Sequence, residues 1–180
     1  TINSIKKFNV NIINQNERGY GNALINGINN CETEYFCVYN ADGSFEKNDL
    51  SKMYNLIATN DFVFASRYLK NGGSEDDTVI TYIGNIFFST LGKILYSLKI
   101  NDILYTYFMG KTSSFKTLKI KKNDFRFCVE LPIKMQKNQM TYASIPSFEK
   151  KRIAGKKKVN EIKDGSLILY EMLRLFFFKN

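Results

Sequence analysis

Histidine and tryptophan are both missing from this 180-residue sequence. Without histidine the commonest general base and a leading zinc ligand are gone, so acid–base work falls to Asp, Glu, Lys or Tyr. Cysteine is scarce. Cys31, Cys37 and Cys128 are odd in number and show no CxxC spacing, which argues against a disulfide framework or a zinc site. Three buried thiols in a reducing compartment fit better. Repeats and low-complexity runs are absent, no leader peptide is visible, and no run of about 18 apolar residues announces a membrane span. The chain starts at Thr1 without a methionine and reads as an excerpt from something longer.

What is present suits one folded domain. Hydrophobic residues make up 44% and aromatics 14%, enough to bury a core. The formal net charge is +9 and is unevenly spread. Residues 147–180 carry nine Lys/Arg against four Asp/Glu. A cluster of that kind suits phosphates, whether of a nucleotide, a lipid headgroup or a nucleic acid. The nucleic-acid reading is the weakest, because there is one basic loop, KKRIAGKKK, and no recognised binding motif.

Along the chain, FNVNIIN (8–14), EYFCVY and DFVFASRY read as strands. Helical spacing follows the first two, in NALINGINN and in EKNDLSKMYNLIATN. This alternation predicts an α/β domain with a parallel sheet. LKNGGSEDDT reads as a loop, a long helix is expected from about Val79 to Leu98, and another over Phe127–Lys137. MTYASIPSFE alternates as a last strand. VNEIKDGSLILYEMLRLFFF is an amphipathic C-terminal helix, which either packs on the domain or lies in a membrane interface.

One short stretch raises the question of chemistry. The apolar run YFCVY ends in Asn40-Ala41-Asp42-Gly43-Ser44. In open α/β sheets, ligands sit beyond the carboxyl ends of strands, and a hard divalent cation takes one or two carboxylates plus phosphate oxygens. Asp42 therefore either holds a metal against a diphosphate or only shapes a turn. Gly19 and Gly21 of GYG lack the third glycine of a dinucleotide fingerprint. They either bring a helix start close to phosphates or are plain loop glycines.

Five segments in order, NERGYGNALINGI, NADGSF, DFVFASRYLKNGG, INDILYTYFMGKTSSF and VELPIKMQKNQMTYASIPSFEKKRIAGKKKVNEIKDG, resemble family 2 glycosyltransferases of the GT-A fold. The resemblance covers nearly the whole chain and leans towards the dolichyl-phosphate mannose synthase and bacterial polyprenyl-phosphate sugar transferase branch. It implies a Rossmann-like mixed sheet flanked by helices over residues 1–165, with residues 166–180 as the amphipathic helix. The family's opening strand, its base-binding turn and the strand ending in Asp-Asp-Gly-Ser would precede residue 1, so this chain is expected to lack its N-terminal strands.

The resemblance also implies roles. Asp42 matches the metal-binding second Asp of an Asp-x-Asp motif, with Asn40 in place of the first, and Mg²⁺ or Mn²⁺ as the ion. Ala41 and Ser44 lie on the same donor-binding segment. Arg67 matches an arginine that faces phosphates. Arg152, Gly155 and Lys158 match an Arg-x-x-Gly-x-Ser-Lys segment, with Lys157 in place of the Ser. Thr81 and Asn85 stand, by spacing, where the family has an Arg and a Ser for the acceptor phosphate. Glu130 is either a functional acid or half of a structural pair, and Asp102 is either catalytic or a cap. The implied reaction moves a sugar from a nucleotide-diphospho-sugar to a polyprenyl phosphate with inversion. It would take place in the cytoplasm or peripherally on the cytoplasmic membrane face. The rivals are a saccharide acceptor and an inert remnant. A lipid phosphate is already an anion and needs no general base, which suits a chain without histidine.

Overall fold

The computed structural model describes residues 5, 7–155 and 159–178. At its centre is a four-stranded sheet in the order β1-β4-β2-β5, built from β1 (Tyr35–Val38), β2 (Phe62–Ser66), β4 (Phe108–Lys111) and β5 (Tyr142–Pro146). β2 and β5 run parallel, pairing Phe62 with Tyr142 and Ser66 with Pro146. β4 runs antiparallel to both β1 and β2, with Phe36 and Phe62 each opposite Gly110. The parallel sheet expected from element alternation is therefore a mixed one, because the apolar segment ILYTYFMG returns between β1 and β2 as a reversed strand. A second pair, β3 (Gly73–Ser74) with β6 (Phe148–Glu149), ties the loop after β2 to the end of β5.

β2 is buried at every position, as a central strand covered on both faces must be. Its side chains alternate between two cores. Phe62 and Phe64 point into a large cluster with Phe36, Phe108, Phe115 and Phe127. Val63 and Ala65 point into a smaller one with Phe45, Met53, Ile57, Tyr107 and Met109. Helix α2 (Asp49–Ile57) supplies the smaller core through Met53 and Ile57. The larger core lies under α1 (Tyr20–Asn29), α3 (Val79–Tyr96), α4 (Thr112–Leu118), α5 (Phe127–Lys137) and α6 (Glu161–Phe177).

α3 starts on a capping box. Thr78 accepts the Thr81 N–H, and the Thr81 hydroxyl accepts the Thr78 N–H at 2.9 Å. Its inner side, Asn85, Phe88, Ser89 and Gly92, is buried. Its outer side is not: Val79, Ile80, Ile83 and Ile94 are each exposed by 60% or more. By length and composition alone α3 is apolar enough to cross a membrane, with mean hydropathy 1.2 over its 18 residues. Its four small polar residues, Thr81, Asn85, Ser89 and Thr90, and its single Lys93 are spaced among apolar ones, which masked this feature in the sequence.

α6 packs Ile168, Met172 and Leu175 inward and leaves Ile162, Tyr170, Phe176 and Phe177 exposed. Residues 8–14 are not a strand. Phe8, Val10, Ile12 and Ile13 are solvent-exposed and the segment pairs with no ladder among the described residues. Alternation alone specifies a strand only where a partner edge receives it. α4 has no counterpart among the expected elements. It is a seven-residue turn of helix, too short to show periodicity.

Candidate functional site

The Asn40–Ser44 turn leaves the carboxyl end of β1. Gly43 has φ +80°, the left-handed region that glycine enters without strain. Asp42 Oδ1 accepts from the Ser44 N–H at 3.1 Å and the Ser44 hydroxyl at 2.7 Å. Half of the carboxylate thus does what the turn reading expected. The other oxygen behaves differently. Asp42 Oδ2 has no hydrogen-bond donor among the described residues, and the cation facing it, Arg152 Nη1, is 4.0 Å away. The Asp42 side chain keeps 23% of its surface in solvent.

The 150–153 segment is laid across this turn. The Lys150 N–H donates to the Ser44 carbonyl and the Ile153 N–H to the Asp42 carbonyl, each at 2.8 Å. This backbone seam places Arg152 between two carboxylates. Its Nε donates to both Asp76 oxygens at 3.3 and 3.2 Å, its Nη2 also reaches Asp76, and its Nη1 looks towards Asp42. Asp76 comes from the SEDD loop, a short acidic run in a basic chain whose charges and glycines mark only a loop in the sequence. The Asp76 hydrogen bond and the nearby acids raise the Arg152 pKa above its ordinary value.

Arg67, at the end of β2, meets a different environment. Its Nε and Nη2 form a two-point contact with Asp102 at 2.8 Å each, and its own N–H adds a bond to Asp102 at 2.9 Å. Nη1 donates to Glu149 at 2.9 Å and lies 3.5 Å from Asp77. The guanidinium stacks over Tyr105, 4.6 Å from the ring centre. Only 10% of the side chain is exposed, and Asp102 is fully enclosed. Burial alone would lower the Arg67 pKa, but the Asp102 hydrogen bonds and the Asp102 and Glu149 charges outweigh it and raise it. Neutral donors complete the cage. Asn85 donates to Asp102, Ser74 to Glu149 at 2.7 Å, and Thr81 and Tyr68 to Asp77.

Several expected site residues are therefore held inside the protein. The phosphate contact expected of Arg67 gives way to three carboxylates, which occupy its fork. Asn85 is buried and bonded to Asp102, and Thr81 is engaged with Thr78 and Asp77, so neither presents a free group to an acceptor phosphate. Asp102 is an internal partner of Arg67. Glu130 is buried too, accepting from Lys134 at 2.8 Å and from the N–H groups of Lys121 and Lys122 at 3.0 and 2.7 Å. None of its partners belongs to the Asp42 group, so the structure gives it the pairing role. A β-carbon at Gly19 or Gly21 would come within 2.0–2.1 Å of the carbonyl oxygens of Asn123 and Lys122. These glycines let α1 seat against the 122–124 backbone. Next to them, burial raises the Tyr20 phenol pKa, and the Tyr20 hydroxyl shares a hydrogen bond with that of Thr106. Lys158 and Lys157 lie outside the described residues, and Gly155 is a left-handed residue (φ +92°).

No group of three or more metal-ligating side chains occurs among the described residues. A Mg²⁺-type ion does not need one, because phosphate and water complete its shell. The uncommitted Asp42 Oδ2 supplies the one carboxylate such an ion can take here, while Asp76 is held by Arg152. Asn40 adds a neutral side chain to the same turn. Two surface pockets, of ≈ 430 and ≈ 400 Å³, lie elsewhere, one beside α2 and one between α5 and α6.

Comparison with known proteins adds the following. The family described as "Glycosyl transferase family 2" matches residues 1–119. Among solved structures, the "Crystal Structure of a Mycobacterial Protein" superposes with a TM-score of 0.62 at 9% identity, covering 96% of this chain and 55% of that one. The chain thus spans about half the length of that protein, and at this identity the likeness speaks for the fold alone. No curated protein matches the chain.

Proposed function

The chain belongs to glycosyl transferase family 2 and has a GT-A-like fold, and from that premise we propose that it transfers a sugar from a nucleotide-diphospho-sugar to a polyprenyl phosphate, with inversion, at a membrane surface. The observation that carries the donor half is the open oxygen of Asp42, held at the carboxyl end of β1 beside Arg152 and Asp76. Asp42 would hold Mg²⁺ or Mn²⁺. The ion supplies Lewis-acid stabilisation of the departing diphosphate. Arg152 brings a fixed positive charge to the donor phosphates, and the lysines that follow it extend that charge. The guanidinium fork suits two-point phosphate contact. Arg67 works at a distance, by fixing the SEDD loop on which Asp76 sits.

The acceptor half rests on α3. This helix begins two residues after Asp77, beside the Arg67 cage, and turns Val79, Ile80, Ile83 and Phe87 to solvent. An apolar face that close to the donor end suits the acyl boundary of a bilayer, where a lipid-linked phosphate would present itself. Its phosphate oxygen is already ionised, so the displacement needs no general base.

The test is a titration of UDP- and GDP-sugars with and without Mn²⁺ or Mg²⁺, repeated on Asp42→Ala. Metal-dependent binding that weakens about tenfold or more in the variant is the expected result. Equal binding by the two proteins would overturn the donor site. Turnover with a saccharide acceptor but none with undecaprenyl phosphate would overturn the acceptor.

A further inference from the structure

We propose that the pocket between α5 and α6 is a second site, one that takes a phosphate-bearing anion and is separate from the Asp42 turn. The pocket is ≈ 400 Å³ and is lined by Lys121, Lys122, Arg126, Glu130, Tyr170 and Arg174. Its acids are already matched from within. Glu171 is fully buried and receives Arg174 at 2.7 Å and Lys122 at 3.2 Å. Glu130 receives Lys134 and two backbone N–H groups. Asp124 is taken by Nε and Nη2 of Arg126, which leaves the Nη1 edge of that guanidinium without an acceptor among the described residues. Lys121 is exposed and has no ion-pair partner among them.

The lining residues together with their direct ion-pair partners give five cations (Lys121, Lys122, Arg126, Lys134, Arg174) and three acids (Asp124, Glu130, Glu171), an excess of two positive charges around one concavity. Low-dielectric walls concentrate such a field and favour a divalent anion over a single carboxylate. A planar guanidinium edge beside ammonium groups matches the several oxygens of a phosphoester. The rim supplies the rest. Tyr170 lines the opening, and Phe177, two helical turns further along α6, is exposed by 71%. With Tyr170 at its edge and Phe177 exposed further along the same helix, the basic cavity accommodates either a phospholipid headgroup, with acyl chains along α6, or a soluble phosphoester.

The experiment titrates glycerol 1-phosphate into the whole chain by calorimetry. It also co-sediments the protein with phosphatidylglycerol–phosphatidylcholine vesicles against phosphatidylcholine alone. The Lys121→Gln/Arg126→Gln double variant removes two cations without touching the buried Glu171 pair, and should bind about tenfold more weakly. Lys121→Glu, at an exposed position, gives the same direction should the double variant not fold. Lys47→Gln, at an exposed lysine outside the pocket lining, should bind as the parent does. Binding of glycerol 1-phosphate without vesicle binding supports a soluble ligand. Selective vesicle binding supports a headgroup. Binding of neither probe by the parent, undiminished binding by both pocket variants, or an equal loss in Lys47→Gln would overturn the site.

Discussion

Two arginines in this protein each face several carboxylates, and they are held in opposite ways. Arg67 is enclosed by Asp102, Glu149 and Asp77 with a tenth of its side chain exposed. Arg152 lies between Asp76 and Asp42 with a quarter exposed, and its contact with Asp42 is 4.0 Å rather than a hydrogen bond. In the first, most water is excluded, each guanidinium nitrogen meets a carboxylate, and removing one partner strands a buried charge. In the second, solvent screens the pair, and either partner can be exchanged at small cost. Burial, not residue type, separates a charge that holds the fold from a charge available to a ligand.

The comparison is broken most directly at Arg67. Arg67→Ala leaves three acids facing one another and should cost about 3–5 kcal/mol. At about 2–4 °C per kcal/mol for a chain of this size, thermal unfolding should fall well below that of the parent. A drop no larger than that of a surface variant would refute the structural reading of the cage. Arg67→Lys keeps the charge but loses the fork and should lie between the two.

Glu171 is an intermediate case, an enclosed carboxylate whose cationic partners reach solvent. Burial alone would raise its pKa, but the Arg174 and Lys122 hydrogen bonds prevail and hold it below the usual carboxylate range. The folded-state value is the lower one. The stabilisation is therefore fully present above the unfolded value, about 4.3, and is lost as pH falls through the folded one. Glu171→Gln should destabilise the protein by about 1–3 kcal/mol at neutral pH and flatten the acid limb of a stability–pH curve. An unchanged acid limb would contradict the assignment.

Arg152→Ala should cost about 0–1 kcal/mol, yet weaken donor binding. Smallest in stability is Asp42→Asn, whose amide oxygen can still close the turn. It should stay within about 0.5 kcal/mol of the parent while losing metal-dependent donor binding. Calorimetry on the same preparations reads both quantities, and a stability loss comparable to Arg67→Ala would erase the contrast.

β1, β2, β5, α2, α3, α5 and α6 were legible because their apolar residues recur at the period of the element they form, whereas β4 showed only as a short apolar segment. α5 was expected over Phe127–Lys137 and is found there. Residues 8–14 show the limit of that signal, since alternation without a partner strand left Phe8 and Ile12 in solvent. At the site, Asp42 could be found from its place after an apolar strand. Asp76 and Glu149 could not, because what matters in them is contact with arginines 76 and 82 residues away. The four acids in and beside the SEDD loop and β6 were visible in a basic chain, but nothing local says which arginine each will meet.

The sequence by itself determined the class of the fold, the turn that carries Asp42 and the excess of positive charge, since periodicity, turn chemistry and composition are properties of neighbouring residues. Only the tertiary structure decided that β4 enters reversed, that Arg67 is enclosed while Arg152 remains at the surface, and that Glu130 turns away from Asp42. Those outcomes depend on which distant segments exclude water from a given charge, and desolvation is set by the packed chain as a whole.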